Sequence, residues 1–332
     1  MLRYVVHRLL IMIPTLVAIS LIVFMIIQLP PGDYLESYVA ELQSRGENVD
    51  KDKLEFLRHT YGLDKPLLEQ YGLWLLGLVQ GDLGFSFEHN KPVAMIVGDR
   101  LWLTVIVSIA TIMFTWLVAF PIGVYSATHQ YSWTDHGLTL LGFLGLATPH
   151  FLLALVLLYF ANMLFGTSIG GLMDEQYIDQ PWSLAKGLSV LEHLWIPVLV
   201  IGTSGTAGMI RRLRANLLDE LQKQYVVTAR AKGLPPFKAL VRYPLRVALN
   251  PFIADIGGLL PEIISGAAIV SVVLSLPTTG PMLLEALRSQ DMYLAGSFLM
   301  FLAALTVIGV LVSDLLLAVL DPRIRLGGGA VK

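Results

Sequence analysis

The segment Tyr225-Val-Val-Thr-Ala-Arg-Ala-Lys-Gly-Leu-Pro-Pro236 lies within a polar stretch, residues 210–250, that separates two long apolar runs. This stretch carries nine of the chain's 23 Lys and Arg residues and only two acids, Asp219 and Glu220. A basic, helix-prone loop between membrane spans is expected to face the cytoplasm. The stretch therefore predicts a membrane-embedded chain with a cytoplasmic loop, and the simpler alternative is a basic helix that rests on anionic lipid.

The composition of the chain also favours a membrane protein. Hydrophobic residues make up 55% of it and charged residues only 14%, with a mean hydropathy of +0.68. Soluble domains carry about 25% charged residues. The absence of cysteine excludes disulfides and thiolate sites. No Gly-x-x-x-x-Gly-Lys-Ser/Thr sequence occurs, so the chain has no phosphate-binding loop of this type.

Six apolar runs are predicted to be transmembrane helices. They cover residues 9–29, 101–127, 138–165, 195–210, 251–276 and 294–320. The third, fifth and sixth runs exceed the roughly 20 residues that a bilayer requires, so a tilt or a kink is expected. The first run follows Arg3 and Arg8 and has no small-residue cleavage site after it. It is therefore interpreted as a retained span rather than a signal peptide.

An even number of spans places both termini on one side of the membrane. The two terminal tails and the 210–250 loop together hold 14 basic residues, so this side is predicted to be cytoplasmic. The chain then divides into four parts: the N-terminal tail and first transmembrane helix, an external segment with short interfacial helices, a five-helix core and a cytoplasmic tail, covering residues 1–29, 30–100, 101–320 and 321–332.

Two short helices are predicted in the external segment, at residues 51–59 and 65–78. The second helix has a stripe of apolar and aromatic side chains, formed largely by Leu67, Leu68, Tyr71, Trp74, Leu75 and Leu78. Tyr and Trp suit a helix that lies at the membrane interface. They suit packing against the transmembrane helices equally well, and the sequence leaves both interpretations open.

Several motifs along the chain resemble those of one transporter family. In order they are Leu29-Pro-Pro-Gly-Asp33, Arg211-Arg-Leu-Arg214, the 225–236 segment and Asp321-Pro-Arg-Ile-Arg325. Their order and spacing resemble the permeases of ABC importers of the dipeptide/oligopeptide/nickel family. The resemblance implies an all-α, polytopic membrane protein with about six transmembrane helices, the type I ABC importer permease fold, in a bacterial inner membrane.

The resemblance also implies a set of partners. Such an importer contains a second homologous permease, two ABC ATPase subunits and an external solute-binding protein, and it works in a lipid bilayer without nucleic acid. ATP and Mg²⁺ would bind to the ATPase subunits, and this chain would bind no cofactor and perform no catalysis itself.

The 225–236 segment resembles the cytoplasmic loop through which such permeases contact their ATPases. Gly233 suits the end of a short helix, and the prolines after it stop that helix. Ala229 and Ala231 would permit close approach of a partner, while Arg230 and Lys232 could meet acids on it. The resemblance thus assigns ATPase coupling to Tyr225, Thr228, Ala229, Arg230, Ala231, Lys232, Gly233, Leu234 and Pro235.

Three acids lie within or beside the predicted spans. Each must face protein, water or a partner, because a charge at the bilayer centre costs about 2.5–3.5 kcal/mol or more. Asp314 is expected to make a structural bond to a basic residue. Asp255 and Glu262 are seven residues apart and share a helix face, where they could line a passage or bond to neighbouring helices. Ser265 and Ser271 are further candidates to line the passage.

Peptides are the first candidate solute, on family grounds alone. Ser271 stands where related permeases often carry Glu, and Pro277-Thr-Thr-Gly280 departs from the usual Pro-Gly-x-Gly. Oligosaccharides or another small solute therefore remain an alternative. A proton-coupled secondary transporter is a second class of function, although internal repeats and more spans are typical of that class. A membrane receptor or scaffold is a third.

Overall fold

The computed structural model describes residues 2–28, 59, 64–86, 88–89, 91–165, 170–178 and 180–320. Apart from one short hairpin and one 3₁₀ turn, the regular elements among them are α-helices. The predicted helix at 51–59, except His59, and the tail 321–332 lie outside this part of the chain. The chain forms two compact units, residues 1–102 with 278–308 and residues 103–277 with 309–332.

The described part of the first unit contains five helices or parts of helices and the hairpin. Its elements are α1 (Leu2–Gln28), α2 (Leu67–Gln80), β1 (Phe85–Ser86), β2 (Lys91–Pro92), the start of α3 (Val93–Thr128), α12 (Thr279–Arg288) and the first half of α13 (Met292–Leu320). The antiparallel strands pair Phe85 with Pro92. Val23, Phe24 and Trp74 form a buried apolar cluster in this unit.

The second unit holds the rest of α3 and α13 and the helices between them. These are α4 (Trp133–Ala147), α5 (His150–Phe165), α6 (Leu184–Leu221), α7 (Gln224–Ala231), α8 (Pro236–Arg242), α9 (Pro244–Ala248), α10 (Asn250–Gly266) and α11 (Ala268–Val273), with a 3₁₀ turn at Glu175–Tyr177. Leu213, Leu217 and Phe252 are buried in one apolar cluster, and Ile196 and Val200 belong to another.

The described residues do not confirm all of the six transmembrane helices that were predicted. Among the residues that the structure describes, four helices are long and apolar enough to cross a membrane, namely α1, α3, α6 and α13. The pair α4 and α5 makes a fifth if the two are counted as one broken span.

Two of the predicted spans are broken. The run 138–165 was expected to form one span with a tilt or kink, but it divides into α4 and α5, which are bent by 99°. Pro149 lies at this break, where it cannot donate a helical hydrogen bond. The run 251–276 divides at Ala267 into α10 and α11.

The basic loop begins as a helix. The fourth span was predicted at 195–210, but α6 runs over 38 residues from Leu184 to Leu221. Its N-terminus is capped by Ser183, whose hydroxyl accepts a hydrogen bond from the Lys186 N–H. Pro197 lies within the helix without ending it. A continuous rod of about 57 Å therefore extends through the span and into the basic stretch.

The helix predicted at 65–78 is confirmed as α2, and its contacts decide between the two interpretations of its aromatic stripe. Tyr71 and Trp74 pack against α1, with ring centroids 5.4 and 5.9 Å from Phe24. Gly81 ends the helix in the left-handed region at φ 82°. Tyr71, Trp74 and Leu78 of the predicted stripe therefore pack inside the protein, whereas Leu67 and Leu68 are exposed.

Candidate functional site

The short helix α7 ends in the way that Gly233 predicted. Gly233 follows the C-cap residue Lys232 and has φ +80°, in the left-handed region that favours glycine. The Gly233 N–H donates to the Arg230 carbonyl at 2.9 Å, and the Leu234 N–H donates to the Ala229 carbonyl at 3.2 Å. These two bonds form a Schellman motif, which satisfies carbonyls at the end of the helix.

The next helix starts almost at once. Pro235 is the N-cap of α8 and Pro236 is its first residue, a position where the missing N–H costs no helical bond. The turn between α7 and α8 borders an open groove of about 580 Å³, lined by Gly233, Leu234, Pro235, Phe237, Lys238, Val241 and Arg242. The Phe237 side chain is 75% exposed. The surface after the glycine thus combines apolar and basic groups.

The two faces of α7 differ in their surroundings. Val226 and Ala229 are buried within the chain. Ala229 therefore packs inside this protein, which corrects the expectation that it permits close approach of a partner. The exposed predicted coupling residues of the helix and its C-cap are Tyr225, Thr228, Arg230, Ala231 and Lys232.

Tyr225 joins α7 to the end of α6. Its hydroxyl donates a hydrogen bond to the Glu220 carboxylate. Burial, with Glu220 as the bonded partner, raises the pKa of Tyr225 above its ordinary value. The Tyr243 ring lies 6.4 Å away, between α8 and α9. Tyr225 therefore has a role in holding this hairpin of helices to the long helix α6.

An ion pair with a buried carboxylate attaches the first turn of α4 to α6. Arg214 donates from Nε to Asp135 Oδ1 at 2.9 Å and from Nη2 to Asp135 Oδ2 at 2.7 Å. Asp135 is buried and also accepts a hydrogen bond from the Tyr131 N–H at 3.0 Å. Ser132, the N-cap of α4, accepts from the Asp135 N–H. Sequence reasoning missed this pair, although Ser132 and Asp135 have the spacing of a helix N-terminus signal.

Asp255, a predicted passage residue, is paired in this structure. Its Oδ2 accepts a hydrogen bond from Arg212 Nη1 at 2.6 Å, and both side chains are about half exposed. The Arg212 guanidinium also lies 5.3 Å from the centre of the Phe252 ring. Asp255 therefore connects α10 to α6, which is the kind of helix-to-helix bond that the sequence left open as an alternative.

The other predicted passage residues have different outcomes. Glu262 and Ser265 belong to α10, but their side chains lie outside the part that the structure describes, so their role stays a prediction. Ser271 is only 3% exposed and packs within the second unit, so it does not face an open passage here. Asp314 lies six residues before the end of α13, and its structural bond also stays a prediction.

Two family models match this chain, in agreement with the permease motifs found in its sequence. Residues 119–326 match the family described as binding-protein-dependent transport system inner membrane component, and residues 1–110 match the N-terminal part of that membrane component. Together the two matches cover nearly the whole chain.

Full-length relatives share about a third of their residues with this chain. It is 32% identical to the oligopeptide transport system permease protein AppB of Bacillus subtilis over 326 residues, 98% of this chain and 100% of the relative. It is 31% identical to the di/tripeptide transport system permease protein DppB of Pseudomonas aeruginosa over 338 residues, 98% and 99% of the two chains. With its long apolar helices and these matches, the chain belongs to the family of inner membrane components of binding-protein-dependent transport systems.

Proposed function

We propose that this chain is the transmembrane permease subunit of an ATP-driven importer whose solutes are peptides. The names of its relatives support this choice, since they include an oligopeptide and a di/tripeptide permease. Membership of a binding-protein-dependent transport family favours this function over a proton-coupled secondary transporter or a receptor. Oligosaccharides are the alternative solute class, although no observation in the structure favours them.

The observation that carries the proposal is the connection from α7 to α6. The exposed side of α7 carries Arg230 and Lys232, which suit an acidic groove on an ATPase. Tyr225 fastens α7 to Glu220 near the end of α6. Because α6 is one continuous helix, a displacement of α7 by a closing ATPase pair would reach the membrane-spanning part of α6.

Two ion pairs would spread that displacement within the second unit. Arg214 connects α6 to Asp135 at the start of α4, and Arg212 connects it to Asp255 in α10. The pair with Asp135 is bidentate and its carboxylate is buried, so it fixes distance and orientation better than a flexible surface pair does. The chain thus has a mechanical role and performs no bond chemistry.

The remaining parts of the importer follow from this role. A second homologous permease completes the passage, two ABC ATPases bind ATP and Mg²⁺, and a solute-binding protein docks outside. Both termini of the chain lie in the cytoplasm. The external side then includes parts of residues 30–100 and the loop around Ser289.

Reconstitution of the importer in liposomes tests this function. We expect uptake of a labelled peptide only when both permeases, the ATPases and the binding protein are present, and no ATP hydrolysis by this chain alone. A labelled oligosaccharide of similar mass is the competing substrate. Uptake in the absence of the ATPases would contradict the proposal, and uptake of the oligosaccharide alone would correct the solute class.

A single cysteine tests the topology, because the natural chain has none. We expect an impermeant maleimide to label Ser289→Cys from the external side of right-side-out vesicles. Lys223→Cys, at the start of α7, is the matched cytoplasmic position and is expected to react only after the vesicles are opened. The reverse pattern would invert the proposed orientation.

A further inference from the structure

Helix α2 has two apolar stripes, although only one of them packs inside the protein. Tyr71, Trp74 and Leu78 lie on the packed stripe. Leu68, Leu76 and Val79 lie on a second stripe, displaced by about a third of a turn around the helix. Their side chains are 87%, 54% and 79% exposed. Three large apolar side chains on one helix face require an environment other than water.

The contacts of α2 with α1 show how deep it lies. The Tyr71 hydroxyl and the Ser20 hydroxyl are 2.9 Å apart, and Gln28 Nε2 donates to Gln70 Oε1 at 3.4 Å. Ser20 precedes Gln28 by eight residues, which is about 12 Å along a helix. Helix α2 is therefore level with the last third of α1, inside the thickness of a bilayer that α1 crosses.

The helix α13 holds α2 at this depth from another side. A Cβ atom at Gly296 would lie 3.1 Å from the Trp74 ring and 3.2 Å from Ile27. The glycine thus allows α13 to approach both α1 and α2 closely. Gln28 also donates to the Met292 sulfur at 3.1 Å. The position of α2 is fixed by two membrane-spanning helices.

Helix α1 exposes apolar side chains at the same depth. On its final turns, the side chains of Ile22, Met25 and Ile26 are exposed. Exposed apolar side chains on a transmembrane helix face lipid or another membrane subunit. The second stripe of α2 lies level with these turns, while the Lys65–Glu69 ion pair marks a polar end of the helix.

We propose that α2 is embedded in the membrane at the Gln28 end of α1 and that Leu68, Leu76 and Val79 contact lipid acyl chains. This is the outer leaflet in the topology proposed above. Lipid contact itself depends neither on that orientation nor on the solute. The position of α2 would then set the depth at which the following segment, residues 82–92, leaves the membrane.

Electron paramagnetic resonance on the assembled importer in nanodiscs tests the proposal. Nitroxide labels are attached to single cysteines at Leu68, Leu76 and Val79, and Glu69, in the polar first turn of α2 beside Lys65, is the control. We expect oxygen to collide with the three stripe labels more often than a water-soluble nickel chelate does, and the reverse at Glu69. Uptake by the labelled importer shows that the fold is retained.

Two outcomes would overturn the proposal. Collision with the nickel chelate at the stripe positions as frequent as at Glu69 would place the stripe in water. Protection from both oxygen and nickel would show that the second permease or the binding protein covers it. If a label impairs assembly, Val79→Trp replaces it, and lipids with brominated acyl chains are then expected to quench more fluorescence than in the unmodified importer. Equal quenching would also contradict the lipid contact.

Discussion

Ser86 and Asp291 are 205 positions apart in the chain, and the Ser86 hydroxyl donates to Asp291 Oδ2 at 2.5 Å. Both side chains are buried. The same oxygen accepts a hydrogen bond from the Glu88 N–H at 3.3 Å, and Oδ1 accepts one from the Leu294 N–H at 3.1 Å. One carboxyl group therefore receives three donors.

Asp291 connects three elements of the first unit. Its N–H donates to the Ala286 carbonyl at 2.9 Å, where the chain leaves α12 through Gln290 at φ 56°. Its carboxyl group accepts the Leu294 N–H in the first turn of α13, as an N-cap residue does. Through Ser86 it also reaches the hairpin β1–β2. In the proposed topology this junction faces the exterior, where the binding protein docks.

Ser86→Ala is expected to destabilise this junction. The change removes a buried hydrogen bond to a carboxyl group, which contributes about 1.5–3 kcal/mol. Asp291→Ala is expected to cost more, because it leaves three donors without their acceptor. Thermal unfolding of the purified importer measures both. Ser289→Ala is the matched control, since its hydroxyl makes only a 3.5 Å contact with the Ala286 carbonyl. An equal effect of the two serine variants would contradict this role.

The stability of the junction should depend on pH. Burial raises the pKa of Asp291 above its ordinary value of 3.8, against the opposing effect of its hydrogen bonds and of His89. A folded-state pKa above the unfolded one means that this contribution is complete below pH 3.8 and is lost as the pH rises through the raised pKa. Acidification therefore favours the folded junction.

Melting temperatures of the importer with and without Asp291→Asn measure this dependence. We expect the advantage of the natural aspartate over asparagine to be greater at acid pH than at neutral pH. The side chains of His89 and Glu285, another acid and base in this unit, are 4.0 Å apart, so the comparison is repeated with His89→Gln. If the difference in melting temperature between Asp291 and its Asn variant does not change with pH, with either His or Gln at position 89, the link between Asp291 protonation and stability is disproved.

The sequence predicted the local structure of the 225–236 segment better than the membrane crossings. Gly233, Pro235 and Pro236 each restrict the backbone by residue type alone. The end of α7 and the start of α8 could therefore be predicted from them. Composition also indicated α1 and α13, whose apolar runs are long and uninterrupted. The break near Pro149 was not predictable from hydropathy, which does not record the direction of a helix after a proline.

The pairs that hold the helices together were harder to predict. Asp255 and Arg212 are 43 residues apart, and a single sequence does not say which cation meets which acid. Ala229 looked suited to a partner surface because it is small, but small residues serve packing inside a chain equally well. The N-cap signal at Ser132 and Asp135 indicated a helix start, and only the fold brings Arg214 to it.

Arg214→Ala is expected to destabilise the second unit strongly. It would leave the buried Asp135 carboxylate without its cation, and breaking such a pair costs about 3–5 kcal/mol. Arg214→Lys keeps the charge but loses the bidentate geometry, so a smaller loss is expected. The control is Arg211→Ala, an exposed neighbour, for which a change within about 0.5 kcal/mol is expected. Similar melting temperatures for the alanine variants at 211 and 214 would argue against the pair.

Exchanging the charges of Arg212 and Asp255 distinguishes an ion-pair role of Asp255 from contact with the solute. Arg212→Gln and Asp255→Asn are each expected to lower uptake, with at most about 1 kcal/mol of lost stability, because the pair is half exposed. The double variant Arg212→Asp with Asp255→Arg restores opposite charges and is expected to recover uptake. If Asp255 instead contacts a cationic solute, the exchange stays inactive. Wild-type uptake in both single variants would show that transport does not need the ion pair.

The conformation of Gly233 yields a prediction about coupling. Apart from Gly233 and its two chain neighbours, no described residue has an atom within 4 Å of a Cβ built at this glycine, so the main cost of a side chain arises from φ +80°. Residues with a Cβ lose roughly 1–2 kcal/mol in this region, whereas Asn tolerates it better. Gly233→Leu is therefore expected to weaken peptide-stimulated ATP hydrolysis and uptake while the protein still reaches the membrane.

Gly233→Asn, the matched control, is expected to retain more of both if the backbone turn is what the ATPase recognises. Equal losses in the two variants would show that the partner excludes any side chain at this point, and normal uptake in Gly233→Leu would refute the assignment of α7 to coupling.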